Sequence, residues 1–162
     1  MKTRAVYLLF LATSSLLWGR LGETEKELTT RFGKPVARAK LVTYAQGKSW
    51  ELGTTLTYRQ DDWVITSDLV DDRVVREEYQ KRGEWTVSQI QTVVAANAQG
   101  AQWTEISAKG SEKWARKWKR TDGATAQWNN GAGFKFSTPA YDRAKEVAEA
   151  KAKVEVSRTP KI

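Results

Sequence analysis

The sequence predicts an α+β fold made of two similar halves, each a helix packed on a small antiparallel sheet of three or four strands. Two observations lead to this prediction. A helix-start pattern occurs at Thr24 and again at Thr86, and short strand-like stretches follow each occurrence. The same spacing relates Leu28 to Ile90, Phe32 to Val94, Val74 to Phe136 and Tyr79 to Tyr141. The two halves are therefore interpreted as a tandem repeat.

The first half, residues 20–82, begins with a capping box. In this motif the hydroxyl of Thr24 and the carboxylate of Glu27 satisfy free backbone amides at the start of a helix. The segments Gln60-Asp61-Asp62 and Asp71-Asp72 are typical of turns between strands. Short strands are predicted at residues 41–44, 52–58, 63–67 and 73–79.

The second half, residues 83–141, repeats the order of signals. Thr86 and Gln89 form a second capping box. The pair Asp122-Gly123 is a strong hairpin signal, and residues 129–131 (Asn-Asn-Gly) predict a further turn. Strands are predicted at residues 113–121, 124–128 and 134–137.

The C-terminal segment, residues 142–162, is predicted to be a polar helix and tail. It follows Pro139, is rich in alanine and charge, and places Lys145 four residues before Glu149. Few of its side chains are large and apolar, which favours an exposed helix.

The N-terminal segment has the order of a secretory signal peptide. Lys2 and Arg4 precede an apolar run at residues 5–17, and a charged stretch follows. The run is short for a permanent membrane span, so residues 1–19 are predicted to be a cleaved signal, with an uncleaved anchor as the alternative. The mature protein is expected to be periplasmic or secreted, without a transmembrane span.

Composition limits the chemistry available to this chain. It contains neither histidine nor cysteine, which excludes Ser-His-Asp and Cys-His nucleophiles and zinc bound by cysteine. The acidic pairs Asp61/Asp62, Asp71/Asp72 and Glu77/Glu78 are interpreted as turn and strand residues rather than as a glycosidase pair. We therefore expect a non-catalytic protein without a metal or cofactor.

The segment at residues 22–35 carries a resemblance to known proteins. Its pattern is Gly, any residue, Thr, three residues, Leu, three residues, Phe, Gly, any residue, Pro. It resembles the helix opening of the small outer-membrane-assembly lipoproteins and of the tandem β-lactamase-inhibitor-protein-like fold. The chain is also similar to short uncharacterised exported bacterial proteins that begin Arg-Leu-Gly-Glu-Thr after their signal. The resemblance implies a fold and a compartment; the lipoproteins' cysteine is missing, so their assembly function is not implied.

Residues 114–120 form the candidate binding strand. Because side chains alternate along a strand, Trp114, Arg116, Trp118 and Arg120 are predicted to share one face, with Lys117 and Lys119 on the other. Guanidinium groups between indole rings would form a cationic aromatic strip for an anionic or sugar ligand. The alternative places both tryptophans in the core, with the arginine stems passing beside them.

Two functions remain open from the sequence. The first is a protein-binding module that uses a sheet face and the 114–120 strand. The alternative is a carbohydrate- or anionic-polymer-binding module of the cell envelope, which the net charge of +8 favours. The same charge also serves solubility. Export argues against a physiological nucleic-acid partner.

Overall fold

The computed structural model describes residues 20–110 and 112–158. The predicted signal peptide at residues 1–19 and the end of the predicted tail at residues 159–162 lie outside the described residues. In chain order the elements are α1 (Glu25–Phe32), β1 (Ala37–Ala45), β2 (Lys48–Gln60), β3 (Trp63–Val70), β4 (Arg73–Lys81), α2 (Val87–Ala96), β5 (Trp103–Glu105), β6 (Ala115–Arg120), β7 (Thr125–Asn129), β8 (Gly133–Ser137) and α3 (Pro139–Arg158).

Both predicted capping boxes are present. The Oγ1 of Thr24 accepts a hydrogen bond from the Glu27 amide, and the Glu27 carboxylate accepts one from the Thr24 amide at 2.8 Å. Thr86 and Gln89 make the equivalent pair of bonds at the start of α2. Local sequence therefore determines where these two helices begin.

The strands form one antiparallel sheet of eight, in the order β1-β2-β3-β4-β8-β7-β6-β5. The predicted aspartate turns are confirmed: Asp61, Asp71 and Asp72 have φ near 50°, a conformation that aspartate tolerates better than most residues. Gly123, with φ of 90°, makes the predicted turn between β6 and β7.

The main core lies between this sheet and the pair of helices α1 and α2. Tyr79, Phe134 and Phe136 are fully or almost fully buried, and the two phenylalanine rings stack with their centroids 4.9 Å apart. Leu28 of α1 and Val93 of α2 are each completely buried against the same cluster. Both helices therefore pack on the same face of the sheet.

The α+β content is confirmed, but the prediction of two similar halves, each with its own sheet, is wrong. Strands β4 and β8 pair antiparallel from Arg76↔Ser137 to Tyr79↔Phe134, so all eight strands belong to one sheet. This pairing satisfies backbone groups that two separate sheets would leave at open edges. The inferred repeat also fails at Tyr141, which lies in α3, whereas Tyr79 is a buried strand residue.

Helix α3 packs on the opposite sheet face. It contacts β1, β2 and β4, and the Arg76 guanidinium lies 4.6 Å from the centroid of the Tyr141 ring. The neighbouring Glu77 is buried with Tyr79 in the main core, and successive strand side chains point to opposite faces. The sheet is therefore covered by α1 and α2 on one side and by α3 on part of the other.

Along residues 20–110 and 112–158, every helix is either too short or too polar to cross a membrane.

Candidate functional site

Trp118 is a core residue. Its side chain is only 6% exposed, and its ring stacks on Phe134 at a centroid distance of 5.4 Å. It occupies the sheet face that α1 and α2 cover. The structure therefore matches the alternative interpretation for Trp118, in which this residue packs rather than binds.

Arg120 is also buried, and it bonds to other residues of the chain. The guanidinium donates two hydrogen bonds to the Asp122 carboxylate, at 2.8 and 2.6 Å, and one to the Asn97 carbonyl at 2.5 Å. It also lies over the Trp103 ring. The bond from Arg120 holds the pKa of Asp122 below its usual value. Asn97 is the C-cap of α2, so the bond from Arg120 to its carbonyl connects β6 to the end of that helix.

Arg116 and Trp114 differ in their accessibility. The Arg116 guanidinium forms a bidentate ion pair with the Glu105 carboxylate, with N–O distances of 2.9 and 2.6 Å. It also lies 5.4 Å from the centroid of the Trp118 ring. This hydrogen bonding lowers the pKa of Glu105. Trp114 is 69% exposed and stands just before β6, where its carbonyl accepts a bond from the Asn130 amide. Of the four predicted residues, Trp114 alone presents most of its side chain to solvent.

The opposite side of the same strands carries lysines that were not among the four candidate binding residues predicted from the sequence. Register places Lys117 beside Gln127 and Gln127 beside Lys135, while Lys119 pairs with Thr125 and with Thr104. These six side chains, which we call the lysine face, point away from α1 and α2. The lysine face comprises Thr104, Lys117, Lys119, Thr125, Gln127 and Lys135.

The geometry of the lysine face is set by the sheet. Lys117 and Lys135 lie two strands apart, so their Cα atoms are about 10 Å apart. Lys117 and Lys119 are two residues apart on one strand, or about 7 Å. Helix α3 makes its main contacts with β1, β2 and β4, and the side chains of Lys117, Lys119 and Lys135 are exposed among the described residues. Three positive charges thus occupy a small, accessible triangle.

Two of these three charges lack a counter-ion within the described chain. Lys135 pairs with Glu78 at 2.9 Å. The side chains of Lys117 and Lys119 are exposed, and among residues 20–110 and 112–158 neither forms a hydrogen bond or an ion pair. Ile106 lies next to Lys117, whose carbonyl accepts its amide at 2.8 Å, and is 56% exposed. The arrangement suits carboxylates presented beside an apolar contact.

The three acidic pairs noted in the sequence lie at two turns and within β4. Asp61 and Asp72 are exposed turn residues, and Glu78 faces away from Glu77. Glu77 is completely buried, which raises its pKa to about 7, and it accepts hydrogen bonds from Ser67 and Tyr79. Within the described ranges, no group of three or more acidic side chains is placed to hold a metal ion.

Comparison with known proteins gives no relative: no family model, curated protein or solved structure matches this chain. The resemblance at residues 22–35 therefore stays a prediction.

Proposed function

We propose that this protein is a non-catalytic module of the periplasm or extracellular space that binds a partner protein through the lysine face. The observation that carries the proposal is a pair of exposed lysines, Lys117 and Lys119, which form no ion pair with residues 20–110 or 112–158 and which β6 holds on the sheet face opposite α1 and α2. The compartment is inferred from the signal-like sequence at residues 1–19. The expected partner presents clustered Asp or Glu side chains.

Strand positions suit such a partner because the sheet holds the lysine stems at constant spacing. Lys117 and Lys119 form no ion pair with the residues that the structure describes, so a partner carboxylate adds a charge interaction without replacing one of theirs. Complementary charge also increases the rate of association. Ile106, which is exposed beside Lys117, supplies an apolar contact near the charged triangle.

The second candidate, an anionic envelope polymer, is favoured by the three clustered lysines, of which only Lys135 has an acidic partner, Glu78, among the described residues. Salt dependence separates the two candidates. A polyanion held mainly by charge should dissociate when ionic strength rises, because the Debye length falls from about 10 Å at 0.1 M to about 3 Å at 1 M. A protein interface with an apolar centre should retain most of its affinity.

The first test is capture from an envelope extract of the source organism. The variant Lys117→Glu/Lys119→Glu reverses both unpartnered charges, and Lys26→Glu/Lys34→Glu makes the same charge change at exposed positions on α1 and just after it. We expect one dominant protein to bind the wild type and the α1 control, and to be lost from the lysine-face variant.

Two results would count against this proposal. Equal capture by both double variants would exclude the lysine face as the contact. Capture of a glycan that is released by about 1 M salt would favour the polymer candidate instead.

A further inference from the structure

We propose that the groove between α3 and the sheet is a second site, which binds a long-chain carboxylate, a single acyl chain with an anionic head group. This site lies on the half of the sheet that α3 covers, apart from the lysine face. It therefore adds a small-molecule ligand to the protein partner proposed above.

The groove is large and mainly apolar. Its volume is about 600 Å³, within the range of small-molecule pockets. Leu52, Val70 and Val75 line it from the sheet, and Ala144 and Val147 line it from α3. On the α3 side the cavity is lined by Ala140, Ala144 and Ala148, whose side chains are short, so a cavity remains between helix and sheet.

The groove continues along the C-terminal half of α3. A second cavity of about 580 Å³ shares Trp50, Val147 and Lys151 with the first and extends to Val154. Val147 is 53% exposed and Val154 is 48% exposed. Trp50 stands where the two cavities meet, and its indole nitrogen donates to the Ala45 carbonyl at 3.3 Å. An elongated apolar channel of this kind fits a chain better than a compact ring.

The charges along the groove favour an anionic head group. Arg143 and Lys151 of α3 line it, and neither side chain forms an ion pair or a hydrogen bond with the part of the chain that the structure describes. Arg73 adds a third cation. Glu51 also lines the groove, but Lys40 pairs with it at 2.7 Å. Asp71 is the remaining acid of the first cavity, and Glu155, which lines the second, pairs with Lys48 at 2.6 Å. Cations therefore predominate.

Charge also argues against the chain's own N-terminal segment as the occupant. Its apolar run is preceded by Lys2 and Arg4, which the groove cations would repel. A carboxylate instead pairs with Arg143 or Lys151 while its chain contacts Leu52 and Val147, and burial of each methylene adds to the affinity.

The test is calorimetric titration of the full chain with dodecanoate below its micelle concentration. Dodecyltrimethylammonium, which has the same chain and the opposite charge, is the matched probe. We expect dodecanoate to bind at least about tenfold more tightly than the cation. Failure of the wild type to bind dodecanoate, or equal binding of both probes, would overturn the proposal.

Two variants locate the binding. Ala144→Phe places a large side chain in the groove, and Arg143→Glu/Lys151→Glu reverses the cations without filling it. Each should weaken dodecanoate binding at least about tenfold, and the charge variant should favour the cationic probe. Because the charge variant alters only exposed side chains, it tests the site even if Ala144→Phe does not fold.

A control variant separates this site from the protein-binding surface. Lys117→Glu/Lys119→Glu should bind dodecanoate as the wild type does. Unchanged affinity in both groove variants would contradict the proposal. Sedimentation of the wild type as a dimer that Ala144→Phe dissociates would do so too, because a second copy would then occupy the groove.

Discussion

Glu77 shows how one buried side chain links the stability of this fold to pH. Its carboxylate accepts bonds from Ser67 and Tyr79 beneath α1, and Glu23 and Arg31 are the nearest charged groups on that side. Burial is the largest influence and raises the pKa to about 7, against 4.5 in the unfolded chain. The folded state therefore retains a proton that the unfolded state releases above pH 4.5.

From this difference we predict that the free energy of unfolding falls as pH rises from about 4.5 to about 7, by about 3 kcal/mol at most. Glu77→Gln is neutral at every pH and should remove most of that fall. Urea unfolding at pH 5 and pH 8 measures this change in the free energy of unfolding. Glu78→Gln, on the opposite sheet face, is the control and should keep the dependence. An identical fall in Glu77→Gln would contradict the account.

At the scale of elements, the contact between β4 and β8 decides the architecture. The Cα of Gly133, the first residue of β8, approaches β4 so closely that a Cβ would lie 2.2 Å from the Tyr79 carbonyl oxygen. Gly131 has a similar positive φ, 85° against 92°, but a Cβ there would meet nothing within 4 Å. Substituting Gly131 would therefore cost only backbone strain. Substituting Gly133 would cost the same strain and would also disturb the close packing of β8 on β4.

We predict that Gly133→Ala destabilises the protein more than Gly131→Ala does. Both substitutions impose a left-handed conformation on alanine, at about 1–2 kcal/mol. Gly133→Ala also forces β8 away from β4, at roughly 1–3 kcal/mol more. Urea unfolding of the two variants gives the difference directly. Equal free energies of unfolding would mean that the β4–β8 contact is not tightly constrained.

For the whole molecule, the sequence predicted local structure well and long-range pairing poorly. Thr24 and Thr86 mark helix starts through bonds to residues three positions away, and Asp71 marks a turn in the same local way. The pairing of Tyr79 with Phe134 joins distant residues, and no periodicity in the sequence encodes it.

The candidate site was also predicted only as far as local sequence patterns allow. Alternation correctly placed Lys117 and Lys119 opposite Trp118, but it gave no sign of which sheet face is covered. That depends on where α1, α2 and α3 pack. The alternating basic and aromatic residues predicted that Trp118 and Arg120 bind a ligand, but both are buried. The side chains of Lys117 and Lys119, which were not predicted to bind, are exposed.

The most direct test of the central claim is lysine footprinting on the captured complex. Acetylation rates of Lys117 and Lys119, measured by mass spectrometry with and without the partner, report whether the lysine face is covered. Lys26 and Lys34 are exposed reference sites at and beside α1. The account predicts that acetylation of Lys117 and Lys119 slows on binding while that of Lys26 and Lys34 is unchanged. Slowing at Lys26 and Lys34, with Lys117 and Lys119 still reactive, would contradict it.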